Sequence, residues 1–330
     1  MRSGLLLLSG LALVAAPVSS AAAARCVMTA AEKAWVEGAL AASDYMMEQR
    51  LHLPHERHPT MILFNERCRF EAGPSDKPTW IGEAHSGKVR LLKNSIDARV
   101  VAMEDTNPTT GAEYFVMSLP SIWEAAKLMR PGDRGLTAVF LHEFSHTRQG
   151  HALKPLFDAA EAKYHPPAYF NDDSLQARFK DDPAYVAVYE KESDLLYRAA
   201  AEPDDAKARG LARQALALME ARQKRWFTGK DEMWKTYDDL FLSMEGVGQW
   251  DAYAWLSDPK GAGLTTDAAR EKMRGKRRWW SQEEGLGLFL VIDRFVPNWA
   301  AQAFGSPPAL AIDLLRQAVG PPSPEAAAKS

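Results

Sequence analysis

The spacing of hydrophobic positions changes character once along this chain. Between residues 60 and 118 the apolar runs are short or alternating, and Gly, Pro, Asn and Asp separate them. "TMILFN" (60–65), "TWIGEA" (79–84), "KVRLL" (88–92), "ARVVAM" (98–103) and "EYFVMS" (113–118) predict strands of a small twisted sheet. An amphipathic stretch at 29–51, with Thr29 placed to cap it, predicts a helix ahead of them, and two prolines break 52–60 into a loop. Pro120 ends the last strand, and Ser121 opens a helix over 121–129. From 135 onward the apolar spacing is helical. The predicted segments are 135–149, 185–201, 205–227, 231–256, 265–275, 282–294 and 308–318. A connection rich in Pro and Asp, 154–184, divides the first from the second. The predicted class is α+β: a small mixed sheet with one special helix in residues 25–150, then a mainly α-helical half in 151–319. The polar tail 320–330 is expected to be disordered.

Composition narrows the partners. Of 330 residues, 46% are apolar and 25% charged, and the net charge is −3. That balance is globular and gives no reason to expect nucleic acid as a partner. Arg2, the apolar run 5–16 and the small residues of 19–24 read as a signal peptide cleaved after Ala24. The run is too short to span a membrane comfortably, so the mature chain is expected to have no membrane span. Export, to a periplasm or outside the cell, makes the two cysteines, Cys26 and Cys68, a disulfide in expectation. The bridge closes a loop of roughly 43 residues, worth on the order of 4 kcal/mol in the chain-entropy model.

One polar group interrupts the helical half's apolar beginning. In "LTAVFLHEFSHTRQG" (136–150), His142 and His146 are four apart with Glu143 beside the first. Residues four apart share a helix face, so both imidazoles can reach one ion. Glu143 sits one position round, beside the ion and not on it, where a carboxylate suits a general base for water activated by the metal. Leu136, Val139, Phe140 and Leu141 supply the apolar anchor such a helix needs.

The sequence here resembles the zincin metallopeptidases, over roughly 110–256. The resemblance implies zinc as cofactor, a peptide or protein substrate, and an edge strand, here 113–118 with Tyr114, Phe115, Val116 and Met117, that binds substrate by strand addition. It also implies a third protein ligand. The metzincin continuation is absent, because Gln149 and Ala152 stand at its glycine and third histidine, with Gly150 and His151 out of register. The gluzincin type, with a glutamate on a later helix, remains. Glu245 lies in a segment similar to the E-G-x-A-x-Y of gluzincin aminopeptidases, with Gly248 for Ala and Trp250 for Tyr. The gap of 99 residues (245 − 146) requires the helices of 185–227 to be an excursion. Gly246 and Gly248 would let that helix approach the metal helix closely. Glu192 and Glu190 are the alternatives. Glu190 with Asp194 is similar to the E-x-x-x-D of thermolysin-like enzymes, where the aspartate orients a ligand histidine. A glutamate that is not a ligand could pair with Arg222 or Arg225.

Other features carry less. His52, His55 and His58 sit in a Pro-broken loop expected to be solvated, Glu284 in an apolar helix with a charged start, and Ser145 without a base. Tyr197, Tyr237 and Tyr253 are near the candidate ligands, where a phenol can stabilise an oxyanion, although packing is the commoner use. Two functions follow: an exported zinc-dependent hydrolase, a peptidase first, or an exported binding protein with a structural or residual zinc site. Three protein ligands plus water distinguish the first, and four protein ligands the second.

Overall fold

A computed structural model describes residues 26–130 and 132–321. Residues 1–25, 131 and 322–330, which include the expected signal peptide and most of the tail expected to be disordered, lie outside them. The chain is α+β, as the spacing predicts. Helix α1 (Ala30–Tyr45) begins with a reciprocal Thr29–Glu32 capping box and runs on into a π-turn, Met46–Arg50. Strands β1 (Thr60–Phe64), β2 (Cys68–Ala72), β3 (Ile81–Ala84), β6 (Ala102–Thr106) and β7 (Glu113–Ser118) form one sheet, and β4 (Lys88–Arg90) pairs with β5 (Ser95–Asp97) as a hairpin. The sheet order is β3-β2-β1-β7-β6, with β1 parallel to β7 and the other pairs antiparallel.

Strand alternation sorts the side chains into two cores. Ile62, Phe64, Tyr114 and Val116 face the hairpin, where Val89 and Leu91 meet them. Met61, Leu63, Phe115 and Met117 face the helices. Being buried on both faces, β1 and β7 read as unbroken apolar runs.

Two strand predictions shift. Residues 68–72 form a strand that was not expected, and the strand predicted at 98–103 lies at 102–106, with Ser95–Asp97 forming the hairpin before it. The expectation that 113–118 is the edge strand is overturned. β7 lies between β1 and β6, and Tyr114, Phe115, Val116 and Met117 are fully buried. Their backbone groups are taken by two neighbours, so they cannot accept a substrate strand. The edge beside the helices is β6.

After the short α2 (Pro120–Ala125) comes α3 (Gly135–Tyr164), twice as long as expected. It passes through Pro155 and straight across residue 150, so the sheet half and the helical half meet inside one helix. Pro155 costs a backbone hydrogen bond. Leu153 and Ala160, buried in an aromatic-rich core with Leu156 and Phe157 packed against it, offset that loss. The remaining helices are α4 (Ser174–Phe179), α5 (Pro183–Ala201), α6 (Asp205–Trp226), α7 (Trp234–Ser257), α8 (Thr266–Arg274), α9 (Trp280–Phe295), α10 (Trp299–Ala303) and α11 (Ala311–Val319). α7 lies between α3 and α9, and the α5–α6 pair packs behind α9. Cys26 and Cys68 form a disulfide, Cα–Cα 5.6 Å, that ties the start of the described chain to β2 and is compatible with an exported protein. No helix among the described residues is long and apolar enough to cross a membrane.

Candidate metal centre

Three aromatic contacts fix the helix that carries the histidines. Phe115 on β7 meets Phe140 at 4.9 Å and Phe144 at 5.1 Å between ring centroids, and those two stack on each other at 4.8 Å. The sheet therefore sets the rotation of α3, which turns His142 and His146 toward α7. Phe115, expected as a substrate contact, is an anchor of this helix instead.

α7 answers with glycine at the point of closest approach. A Cβ at Gly248 would lie 2.8 Å from His142 Nδ1 and 2.9 Å from His146 Cε1. Gly248 thus has the expected role. Gly246 does not: it faces α9, where a Cβ would lie 2.8 Å from the Gly285 carbonyl oxygen. It lets α9 close on the back of α7.

Glu245, one turn before, completes the group. Its Oε2 is 3.2 Å from His142 Nε2 and its Oε1 is 3.8 Å from His146 Nε2; the two Nε2 atoms are 3.3 Å apart. One donor atom from each of the three lies within 4.8 Å of the others, and among the described residues no other such group of His, Cys, Asp or Glu occurs. Tetrahedral ligands about 2.1 Å from an ion stand about 3.4 Å apart, so the spacing fits a zinc-sized cation. The tautomer fits as well. His146 Nδ1 donates to Gln149 Oε1 at 2.8 Å, while the Gln149 amide donates to the Ser243 carbonyl at 3.3 Å. A neutral His146 therefore presents its Nε2 lone pair to the centre. Gln149 is a support that sequence reasoning missed, although its place three residues after the second histidine was a signal. A second support is a relay in which Gln249 Nε2 donates to Gln282 Oε1 at 2.9 Å and the Gln282 amide turns to Glu245.

The electrostatics express the crowding. Burial opposes charge on His142, yet Glu245 and Glu143 raise its pKa to about 9. Burial raises Glu143 to about 7. Glu245 is held low against its burial by the two histidines. Glu143 Oε1 is 4.0 Å from His142 Nε2, beside the donor group and outside it. All four residues line a cavity of about 470 Å³ with Glu104, Asp172 and Gln282.

The alternative ligands lie elsewhere. Glu192 is fully buried on Arg222, its Oε2 2.8 Å from Nε, in a cluster with Asp238, Glu284 and Tyr185. Glu190 is half exposed, with Arg277 at 3.7 Å. Asp194, expected to orient a ligand histidine, instead pairs with Arg274 at 3.1 Å and with Arg277. The helix after the motif turns these acids away from α3, because α5 packs on α6 and α9. Another buried carboxylate is Asp251: among the described residues both its oxygens are without hydrogen-bond partners, His142 is the one charged group acting on it, and burial raises it to about 8. Tyr197 donates to the Glu283 carbonyl, and Tyr237 and Tyr253 do not line the cavity, so none stands as an oxyanion donor. His55 bridges Glu48 and Asp76, and His58, expected in solvent, is buried against Phe144 and Asp44.

No protein-family model matches this chain, and neither does any curated protein or solved structure.

Proposed function

We propose that the chain is an exported, zinc-dependent hydrolase, a peptidase of the gluzincin type. The carrying observation is the meeting of His142 and His146 Nε2 with the Glu245 carboxylate across 99 residues (245 − 146), at cation spacing, beside Glu143 and facing a cavity. Two histidines and a carboxylate are a donor set for zinc, and three donors facing a cavity leave a coordination position open. A closed structural site would need a fourth protein donor; the group holds three. Zinc held there would supply Lewis acidity, polarising a carbonyl and lowering the pKa of water.

The protein's own groups do the rest. Gln149 and the Gln249–Gln282 relay fix a histidine and the glutamate before substrate arrives, so little reorganisation is left for the reaction. Glu143, low enough to be ionised once a dication is near, takes a proton from the attacking water and returns it to the leaving nitrogen. The net reaction adds one water across an amide bond. Glu104, opposite Phe115 on the edge strand and therefore on the same face, brings β6 alongside. The free edge of β6, not β7, is where an extended peptide can add as a strand.

Elemental analysis of the purified chain is expected to give about one zinc per molecule. Glu143→Gln is expected to keep that metal and lose at least about 100-fold in peptide hydrolysis. Failure to take up any divalent metal, or hydrolysis surviving in Glu143→Gln, refutes the reading.

A further inference from the structure

The cavity over His142 and Glu143 is the middle one of three that open side by side along α3. Toward the C-terminal end of the helix it joins a cavity of about 480 Å³, sharing Glu104, His146, Phe241 and Met244. Toward the N-terminal end it joins one of about 240 Å³, sharing His142, Glu143 and Gln282. From Ala138 to Asp158 the helix rises about 30 Å, the length of roughly nine residues of extended chain.

The two limbs differ in chemistry. Glu104, Glu113, Asp158, Glu161, Asp172 and Asp173 line the middle and C-terminal cavities, and Lys154 is the one lysine or arginine among their lining residues. Lys154 is already paired with Asp158 at 2.7 Å. The N-terminal limb is walled by Val139, Ala252, Leu256 and Met273, with Lys272 as its cation. The acidic limb is also more than a patch of acids. Among the described residues the outer edge of β6 has no strand partner, which leaves that side of its backbone unpaired in the sheet.

We propose that this cleft selects basic peptides: an extended segment whose lysine or arginine side chains occupy the acidic limb and whose apolar side chain fills the limb at Val139 and Leu256, with the bond to be cut between them at Glu143. The inference rests on the hydrolase reading for the cut and on the cleft's own charge for the selection. Like-signed charges on walls of low dielectric focus the potential inside a cleft, so a cationic chain is drawn in and an anionic one repelled.

The test is fluorescence anisotropy of the purified chain, with and without added zinc, against three labelled nonapeptides. Each carries Phe-Leu at its centre, and three lysines, three glutamines or three glutamates on each side in turn. The lysine peptide is expected to bind about tenfold or more tighter than the glutamine one, in one of the two placements, and the glutamate peptide more weakly still. The preference should shrink as sodium chloride rises, and should fall below about threefold in Glu113→Gln/Asp158→Asn/Glu161→Gln, whose circular dichroism should match that of the parent. Equal binding of lysine and glutamate peptides, no binding of any, or a preference the triple variant keeps would overturn the inference. Cleavage separates the two claims. Basic peptides bound selectively but left intact by the zinc-loaded chain would sink the hydrolase reading and leave the selection standing; cleavage blind to charge would do the reverse.

Discussion

Of the buried acids on helix α7, Asp238 and Glu245 meet opposite fates. Asp238 joins Glu192 and Glu284 around the guanidinium of Arg222, all within 1% of full burial on their side chains. Seven residues on, Glu245 meets two histidines at the wall of an open cavity. The counter-group decides the difference. Arginine cannot give up its charge or bind a metal, so three carboxylates around it make a closed knot. Burial raises Glu192 and Glu284, while their charge raises Arg222, and one oxygen of each of the three acids is left without a partner. Histidine can be neutral and offer a lone pair, so the same kind of acid beside it makes a candidate ligand set. A buried glutamate therefore says little alone; what faces it says whether it holds the fold or does chemistry.

The sharpest way to break the comparison is to remove each counter-group in turn. Arg222→Met is expected to destabilise the chain by about 3–5 kcal/mol or more, since it strands three acids in the core. Urea unfolding measures it. His146→Ala in the metal-free chain should cost less, because Glu245 then faces a water-filled cavity; a larger loss there than at Arg222 would invert the comparison.

Next in size is metal affinity. Glu245→Ala is expected to weaken zinc binding by more than about 100-fold, whereas Glu190→Ala should change it by less than about threefold. Competition against a chromogenic chelator reads both. A chain that needs Glu190 and tolerates Glu245→Ala would move the centre to α5, against the separation observed between them.

The two regions were not equally legible in the sequence. His142, Glu143 and His146 were, because a spacing of four on a helix is local geometry. Glu245 was the first of three candidates, because a glycine pair and an aromatic followed it, and the structure brings it to the two histidines. The Cys26–Cys68 bridge followed from the cysteine count and the expected export. The placement of β7 was not legible: an apolar run says that a strand is buried, but which strand it lies beside is a long-range choice. The edge, β6, is the acid-bearing "AMEDT", and its polarity drew the predicted strand toward the more apolar 98–103. The extension of α3 through Pro155 was hidden because local propensity argues against it, and packing of distant aromatics overrides it. Asp194 misled because a spacing of four after Glu190 was the one motif feature in view, while Arg274 and Arg277 are about 80 residues away in sequence.

Glycine at 248 gives a smaller and more selective test. Gly248→Ala places a methyl against both imidazoles, expected to cost about 1–3 kcal/mol and to weaken zinc binding together with it. Gly210→Ala, where nothing lies within 4 Å on α6, should instead stabilise by up to about 1 kcal/mol with no effect on zinc. Equal effects at the two positions would show that α7 does not press on the histidines.

The last test is of pH dependence, and it concerns the acid that belongs to neither cluster. Asp251 has no hydrogen-bond partner on either oxygen, and burial holds its carboxyl up at about 8, with His142 the one charge pulling it down. A folded-state value above the unfolded one, about 3.9, means that folding favours the protonated form. Its contribution to stability is therefore fully present below about pH 4 and is lost as pH rises from 4 through 8, after which ionising it in the fold is a constant cost. Asparagine copies the shape of the neutral carboxyl and cannot ionise. In the metal-free chain Asp251→Asn should match the parent near pH 4 and exceed it by about 1 kcal/mol or more at pH 8 to 9. Urea unfolding at a series of pH values gives the two curves. If they stay parallel across the range, Asp251 titrates alike in both states and is not buried as a neutral acid. If they cross the other way, with asparagine the weaker at pH 8, then Asp251 is ionised in the fold and acts as the charged partner of His142, the place that Asp194 was expected to fill.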